Sequence, residues 1–268
     1  MDRPSWAPGE VDLDRPSAAR VYDYYLGGYH NLAVDRAFAE QAMKAMPELP
    51  LIMRTNRAFL RRSVRHLVGT GIRQFLDLGS GIPTVGNVHE IAQAAAPEST
   101  VVYVDKDPVA VAHSQVILEG NPRAGVLQAD LREPHVVLDS APVRELLDLD
   151  QPVAVLMFAV LHFVRDDEEA AASVRRLMGA LPTGSYVVIS HGTHEPVGER
   201  GREVERLYTR TDNPLAPRNQ AQVAKLVSGL EPVEPGVVFL PLWRPDGPDE
   251  VDDHPERSCT YGVVARKP

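Results

Sequence analysis

The chain of 268 residues contains one cysteine, Cys259, so no intrachain disulfide can form and a cysteine-built metal site is excluded. Long hydrophobic runs are also missing. The longest, Val153 to Leu161, is far too short to span a bilayer, and no membrane partner is expected. No apolar stretch follows Met1-Asp-Arg-Pro-Ser5, so no secretory signal is expected and the cytoplasm is the default compartment. Basic residues are outnumbered. The net charge of −9 argues against nucleic acid as a partner. No Gly-Lys-Ser/Thr follows the glycine-rich turn near residue 80, which excludes a P-loop. The third glycine of a dinucleotide-binding loop is absent too, because Thr84 stands in its place.

What the chain does have is Phe75-Leu-Asp-Leu-Gly-Ser-Gly-Ile-Pro83, a short apolar run ending in a carboxylate and two glycines one residue apart. Glycines there let a backbone turn tightly and approach a ligand with no Cβ in the way. Two further apolar runs end in acids. Val101-Val-Tyr-Val-Asp105 lies 28 residues after Asp77, and Val126-Leu-Gln-Ala-Asp130 lies 25 residues after Asp105. Each interval is the length of one βα unit. Three successive strands of this kind put three carboxylates on one sheet edge, where open α/β sheets bind ligands. Pro83 removes a backbone donor from the turn, so the loop suits a ligand without a diphosphate. A carboxylate at Asp105 can accept both hydroxyls of a ribose, although it could instead cap the helix after Pro108, a task for which Asp107 is better placed. Asp130 could accept from an adenine amino group or merely begin a turn.

Residues 1–16, rich in Pro, Asp and Arg, are expected to lack regular structure. Helices are expected from Ser17 to Leu26, stopped by Gly27-Gly28, then from Val34 to Met46 and from Pro50 to Val68. These residues, 1–70, form a helical cap or lid ahead of an α/β unit over 71–268, the two making one structural unit. From residue 73 the pattern alternates. Strands are expected at 73–78, 101–105, 124–128, 153–158 and 185–190, and helices at 86–95, 108–119, 141–147 and 167–180. A helix near 219–229 and strands over Val237–Trp243 and Thr260–Ala265 complete the chain, the last two as an antiparallel pair.

Several clusters admit two readings. His191-Gly-Thr-His194-Glu195 has a metal-like spacing but no further ligand, and no metal is expected. Tyr22, Tyr24, Tyr25 and Tyr29 could fence a ligand, or pack the cap onto the sheet. His162 could act as a general base, or be a structural histidine bonding a neighbouring loop.

Leu76-Asp-Leu-Gly-Ser-Gly81, Val102-Tyr-Val-Asp-Lys-Asp-Pro108 and Gln128-Ala-Asp-Leu131 resemble the successive motifs of class I S-adenosylmethionine-dependent methyltransferases. The chain is more similar still to an actinobacterial-type S-adenosyl methyltransferase subfamily, formerly a domain of unknown function. That resemblance rests on Tyr22-Asp-Tyr-Tyr-Leu-Gly-Gly28, Asn56-Arg-Ala-Phe-Leu-Arg-Arg62, Leu78 to Asn87, Ala159-Val-Leu-His-Phe163 and Tyr261 to Lys267, and covers nearly the whole chain. One departure is Tyr29-His30-Asn31-Leu32, where the subfamily tends to have Lys-Asp-Asn-Phe/Tyr.

The resemblance implies a Rossmann-like, seven-stranded, mostly parallel sheet. It implies S-adenosyl-L-methionine as cofactor, S-adenosyl-L-homocysteine as product and methyl transfer to a small-molecule substrate. Gly79, Ser80 and Gly81 would pass beside the cofactor's amino-acid moiety, with Asp77 acting through water on the ammonium. Asp105 would hold the ribose, Lys106 would flank the adenine, and Asp130 and Leu131 would line it. Phe158, Ala159 and His162 would lie near the sulfonium and the substrate. Tyr24, Tyr29 and His30 are the candidate substrate or lid residues. The rival functions are a methyltransferase-like binding protein without turnover and a nicotinamide oxidoreductase, the latter disfavoured by Thr84. Neither the acceptor atom nor the oligomeric state follows from the sequence.

Overall fold

The computed structural model describes residues 12–83, 86–209, 211, 213–247, 251 and 253–268. Thr84, which bears on the choice of cofactor, lies outside the described residues, as do residues 1–11 of the expected irregular N-terminus.

Five parallel strands carry the fold: β1 (Gln74–Leu78), β2 (Thr100–Asp105), β3 (Ala124–Gln128), β4 (Ala154–Phe158) and β5 (Tyr186–Gly192). Their order across the sheet is β3-β2-β1-β4-β5. The strand order therefore reverses between β1 and β4, and a crevice opens there beyond the strand ends. β1, β2 and β4 are buried almost throughout, as expected of strands covered on both faces. Antiparallel β8 (Thr260–Arg266) follows β5 and pairs in turn with β6 (Glu231–Pro232) and β7 (Val238–Phe239).

Among the described residues the sheet thus has eight strands rather than seven, because a short β6 precedes the expected sixth strand, which is itself cut to β7. Pro232 and Pro235 cannot donate to the ladder, and Gly236 takes a left-handed φ of 83°. The strand expected over Val237–Trp243 stops at Phe239. Pro241 sits in a 3-10 turn, Leu240–Leu242, which swings Trp243 into the core edge-on to Phe59.

Three N-terminal helices, α1 (Ala18–Tyr25), α2 (Ala33–Ala45) and α3 (Leu49–Gly69), match the expected spans within a residue or two. Their roles differ. α3 packs Phe59, Leu60, Val64, Leu67 and Val68 onto the sheet, in one apolar cluster with Phe75, Val101 and Leu156. α1 and α2 form a separate apolar cluster with Val204, Leu207 and Tyr208 of α9 (Glu199–Tyr208). The sequence reading missed α9 because Glu199-Arg-Gly-Arg-Glu-Val-Glu-Arg is dense in charge and holds a glycine. Only Val204, Leu207 and Tyr208 turn inward with that glycine, and a Cβ on Gly201 would lie 2.6 Å from the His194 ring. The helices α4 (Val88–Ala95), α5 (Pro108–Ile117), α6 (Pro134–Leu138), α7 (Ala141–Leu146), α8 (Asp167–Ala180) and α10 (Gln220–Leu226) complete the layers, α6 being a further unpredicted turn of helix. Among the described residues no helix is long and apolar enough to cross a membrane.

Candidate active site

A cavity of about 890 Å³ opens at the carboxyl ends of β1, β2 and β4 and runs under α1 and α3. Asp77, Gly79, Ser80, Gly81, Asp105, Lys106, Asp130, Leu131, Phe158, Ala159 and His162 all line it. Sequence separation hides this convergence. Parallel pairing sets Asp77 beside Tyr103 and Asp105 beside Gln128, so the strand ends finish at one level.

The glycine turn is shaped by packing as well as by φ. Gly79 and Gly81 have φ of 71° and 67°. A Cβ on Gly79 would come within 2.2 Å of Val160 Cγ2, so β1 can turn under the β4 loop only with glycine there. At Gly81 a Cβ would meet nothing within 4 Å among the described residues, which leaves open space above that backbone.

Asp105 accepts from Gly81 N–H at 2.7 Å and Asp107 N–H at 2.8 Å, tying the end of β2 to the turn after β1. A carboxylate has about four acceptor positions, so lone pairs remain for a ligand. Burial lifts its pKa to about 6, against the pull of those two N–H groups. Asp107 caps α5 by accepting from Val109 N–H at 2.8 Å, the role expected of it. Asp77 is more isolated: among the described residues no hydrogen bond reaches its buried carboxylate. Burial pushes its pKa up to about 7, with Arg57 opposing and Asp105 adding to the rise.

Asp130 is not a free acceptor. Arg132 clasps it through Nε at 3.0 and 3.1 Å, Nη2 at 2.6 Å and its own backbone N–H at 2.9 Å. Burial would raise this carboxyl, yet the Arg132 bonds outweigh it and hold the pKa below the ordinary value. The local signal was there, in an acid and an arginine two residues apart.

Beyond β4, Ala159 takes a φ of 50°. Its N–H donates to Ser190 O at 3.1 Å and Ser190 Oγ at 2.8 Å. Ser190 Oγ donates to Asn56 Oδ1 at 2.6 Å, and Asn56 Nδ2 to the Tyr22 hydroxyl at 2.9 Å. This chain joins β5, α3 and α1 beside the cavity. Phe158 packs edge-on to Phe59, and Lys106 sits exposed on the rim.

His162 lines the cavity with Nδ1 facing Gly192 N–H at 3.4 Å, which leaves its ring proton on Nε2. Burial, with the Arg218 charge adding to it, lowers its pKa to about 4, so it is neutral at pH 7. Arg218 itself was not foreseen. It is fully buried and donates to Leu161 O, Val164 O, Asp166 O and Asp167 Oδ1 at 2.8–3.3 Å, and to His191 Nε2 at 2.9 Å. His191 Nδ1 then donates to its neighbour Gly192 O at 3.0 Å. A buried arginine between Pro217 and Asn219 has no periodic signature by which a sequence could flag it.

His191, His194 and Glu195 do not converge. His194 lies 3.5 Å from Glu205, and Glu195 accepts from the Tyr261 hydroxyl at 2.8 Å. Among the described residues no group of three His, Cys, Asp or Glu could hold a metal.

Tyr24, Tyr29 and His30 do not line the cavity. The Tyr24 hydroxyl donates to Glu40 at 3.2 Å, Tyr29 is 88% exposed, and the His30 ring packs at 3.8 Å on His113. The loop after Gly27 is not a loose hinge either. It folds around the buried Asp23 carboxylate, which accepts from His30 N–H at 2.9 Å and Asn31 Nδ2 at 2.8 Å. Gly28 is required because a Cβ would lie 2.0 Å from Asp23 Oδ1. The cavity is instead covered by residues 12–22, where Ser17 Oγ donates to Asp107 Oδ2 and Arg20 pairs with Asp35 at 2.7 Å.

The sequence profile of the S-adenosyl methyltransferase family matches residues 4–268. The chain belongs to the S-adenosyl methyltransferase family. It is 42% identical to a DUF574 family protein from Streptomyces avermitilis, with a TM-score of 0.92 over 96% of this chain and 99% of that one. A candidate methyltransferase from Thermobifida fusca is 36% identical, with a TM-score of 0.91 over 98% and 99%. Human N-acetylserotonin methyltransferase, solved with S-adenosylmethionine, shares the fold at 14% identity and a TM-score of 0.51 over 95% of this chain and 63% of that one. No curated protein matches the chain.

This S-adenosyl methyltransferase family member uses S-adenosylmethionine for methyl transfer, which removes the nicotinamide reading. Its own residues fit the cofactor. Among the described residues the Asp77 carboxylate and the buried Ser80 hydroxyl both lack hydrogen-bond partners and the space over Gly81 is open, and the acidic strand ends suit a cationic sulfonium and ammonium.

Proposed function

We propose that the protein methylates a small molecule that enters the cavity from the side of α1, α3 and α9, opposite the acidic strand ends. The observation that carries this reading is the continuity of the one cavity, from Asp77 and Asp105 at the sheet edge to Tyr25 and Tyr208 under the cap. Residues 12–22 roof that space, so a bulky macromolecular acceptor is poorly accommodated. The bound cofactor supplies a methyl group already activated by its sulfonium, so the protein's contribution is alignment and exclusion of water.

Asp77 and Ser80 hold the amino-acid end and Asp105 holds the ribose, while Leu131 and the exposed stem of Lys106 flank the adenine. Asp130 contributes a wall rather than a free acceptor, since Arg132 already occupies it. Phe158 and Ala159 form the floor between cofactor and acceptor. His162, with its proton on Nε2 and a depressed pKa, is better suited to donate a hydrogen bond to an acceptor atom than to strip a proton from it.

Residues 1–70 divide functionally in this reading. α3 belongs to the body of the fold, and residues 12–25 act as the cover. Titration calorimetry with S-adenosylmethionine, followed by S-adenosylhomocysteine release measured across a panel of small molecules, peptides and nucleic acids, tests the proposal. Turnover with small molecules is expected. Turnover confined to peptides or nucleic acid refutes it.

A further inference from the structure

From the chemistry of the cap-side wall we infer that the acceptor is an uncharged, largely apolar molecule. This rests on the proposed division of the cavity into a cofactor half and an acceptor half. The acceptor half is walled by Tyr25, Met46, Leu49, Ile52, Val204 and Tyr208, all of them buried and all members of the apolar cluster formed by α1, α2, α3 and α9.

The charged residues that line the cavity face other tasks. Arg20 is spent on Asp35 and Arg15 O, Arg57 donates to Gly86 O at 2.7 Å, and Arg132 is spent on Asp130. Asp166 caps α8 by accepting from Glu169 N–H at 2.8 Å, and Glu169 and Arg165 stand exposed at the mouth. On α1 and α3 the charged residues of the wall are Arg20, which is paired with Asp35, and Arg57, whose charge acts on Asp77 in the cofactor half; α9 contributes Gly201, Val204 and Tyr208, none of them charged.

The polar groups on that side are neutral. The Tyr22 hydroxyl is engaged with Asn56, and Tyr25 and Tyr208 keep their protons because burial raises both above the ordinary phenol value. His162 and His194 are held neutral by burial, and Cys259 is raised to about 11. A carboxylate or ammonium entering this wall would lose water and gain no counter-charge, whereas an apolar body with a neutral polar group would be well matched.

The test uses three probes of one shape and different charge: 2-naphthol, 2-naphthoate and 2-naphthylmethylammonium. Each is titrated at pH 7 into full-length protein saturated with S-adenosylhomocysteine, so the cofactor half is already filled. The naphthol is expected to bind at least tenfold more tightly than either charged probe. Met53→Lys then locates the site. Met53 is a half-buried wall residue on α3, so a long aliphatic stem with a charged tip is tolerated there. This variant should keep its affinity for S-adenosylhomocysteine and shift the naphthoate-to-naphthol affinity ratio at least tenfold toward naphthoate.

Equal or tighter binding of a charged probe by the natural protein would overturn the inference. So would the absence of naphthol binding, or an unchanged ratio in Met53→Lys, while S-adenosylhomocysteine still binds. Failure to bind S-adenosylhomocysteine at all would overturn the cofactor-half assignment beneath it instead.

Discussion

Replacing Asp77 with asparagine should make the cofactor-free protein more stable and a poorer binder. Asp77 is buried at the end of β1 with no hydrogen bond among the described residues, and its pKa rises from 3.8 to about 7. An acid whose folded pKa is raised favours the fold fully below its unfolded pKa of 3.8, and that advantage is lost as pH rises toward 7. At pH 7.5 the ionised Asp77 therefore costs the fold about 4 kcal/mol. At pH 5.5, where the folded carboxyl is protonated and the unfolded one ionised, the cost is about 2 kcal/mol. Asparagine has the same shape and no charge, so Asp77→Asn should be stabilising by up to these amounts, and by about 2 kcal/mol more at pH 7.5 than at 5.5. The buried histidines titrate in both proteins and cancel from this difference. Denaturant unfolding of both proteins at the two pH values measures it. In the same variant, calorimetry should show affinity for S-adenosylmethionine reduced roughly 10- to 100-fold, the worth of a hydrogen bond to a charged group. A variant no more stable at pH 7.5, or a gain that does not shrink at 5.5, would refute the burial argument. Unchanged affinity would remove Asp77 from the cofactor site.

Asp105→Ala should weaken S-adenosylmethionine binding by at least roughly tenfold by calorimetry, since it removes the proposed ribose acceptor and the tie to Gly81; wild-type affinity would exclude the ribose role. Arg218→Met leaves four oxygens and His191 without their buried donor, and should lower unfolding free energy by about 3–5 kcal/mol, with Arg218→Lys intermediate. In an NMR titration the His162 ring should stay neutral down to about pH 4; titration near 6.5 would show that it is not desolvated. Because its folded pKa is depressed, His162 supports the fold above pH 6.5, and that support fades as pH falls toward 4. Hydrogen exchange at residues 17–25 should slow when S-adenosylhomocysteine binds, and an unchanged rate would argue against the cover assigned to this segment.

The parts of the protein written in local pattern were legible from the chain alone. Apolar runs ending in Asp77 and Asp105 marked the strands, and glycines at 79 and 81 marked the turn, because strand periodicity and positive φ depend on near neighbours. The N-terminal helices and α8 were legible for the same reason. Tertiary structure alone decided which groups are free to act. Asp130 looked equivalent to Asp105, yet Arg132 occupies it. Tyr24, Tyr29 and His30 looked like lid residues, yet none lines the cavity: Tyr24 reaches Glu40, and the loop carrying Tyr29 and His30 folds around Asp23. Arg218, 56 residues beyond His162 in the chain, stood out in no pattern, though it holds the β4 loop in place. A side chain's hydrogen-bond partners, its solvation and hence its protonation state are set by residues distant in sequence, which no local pattern records.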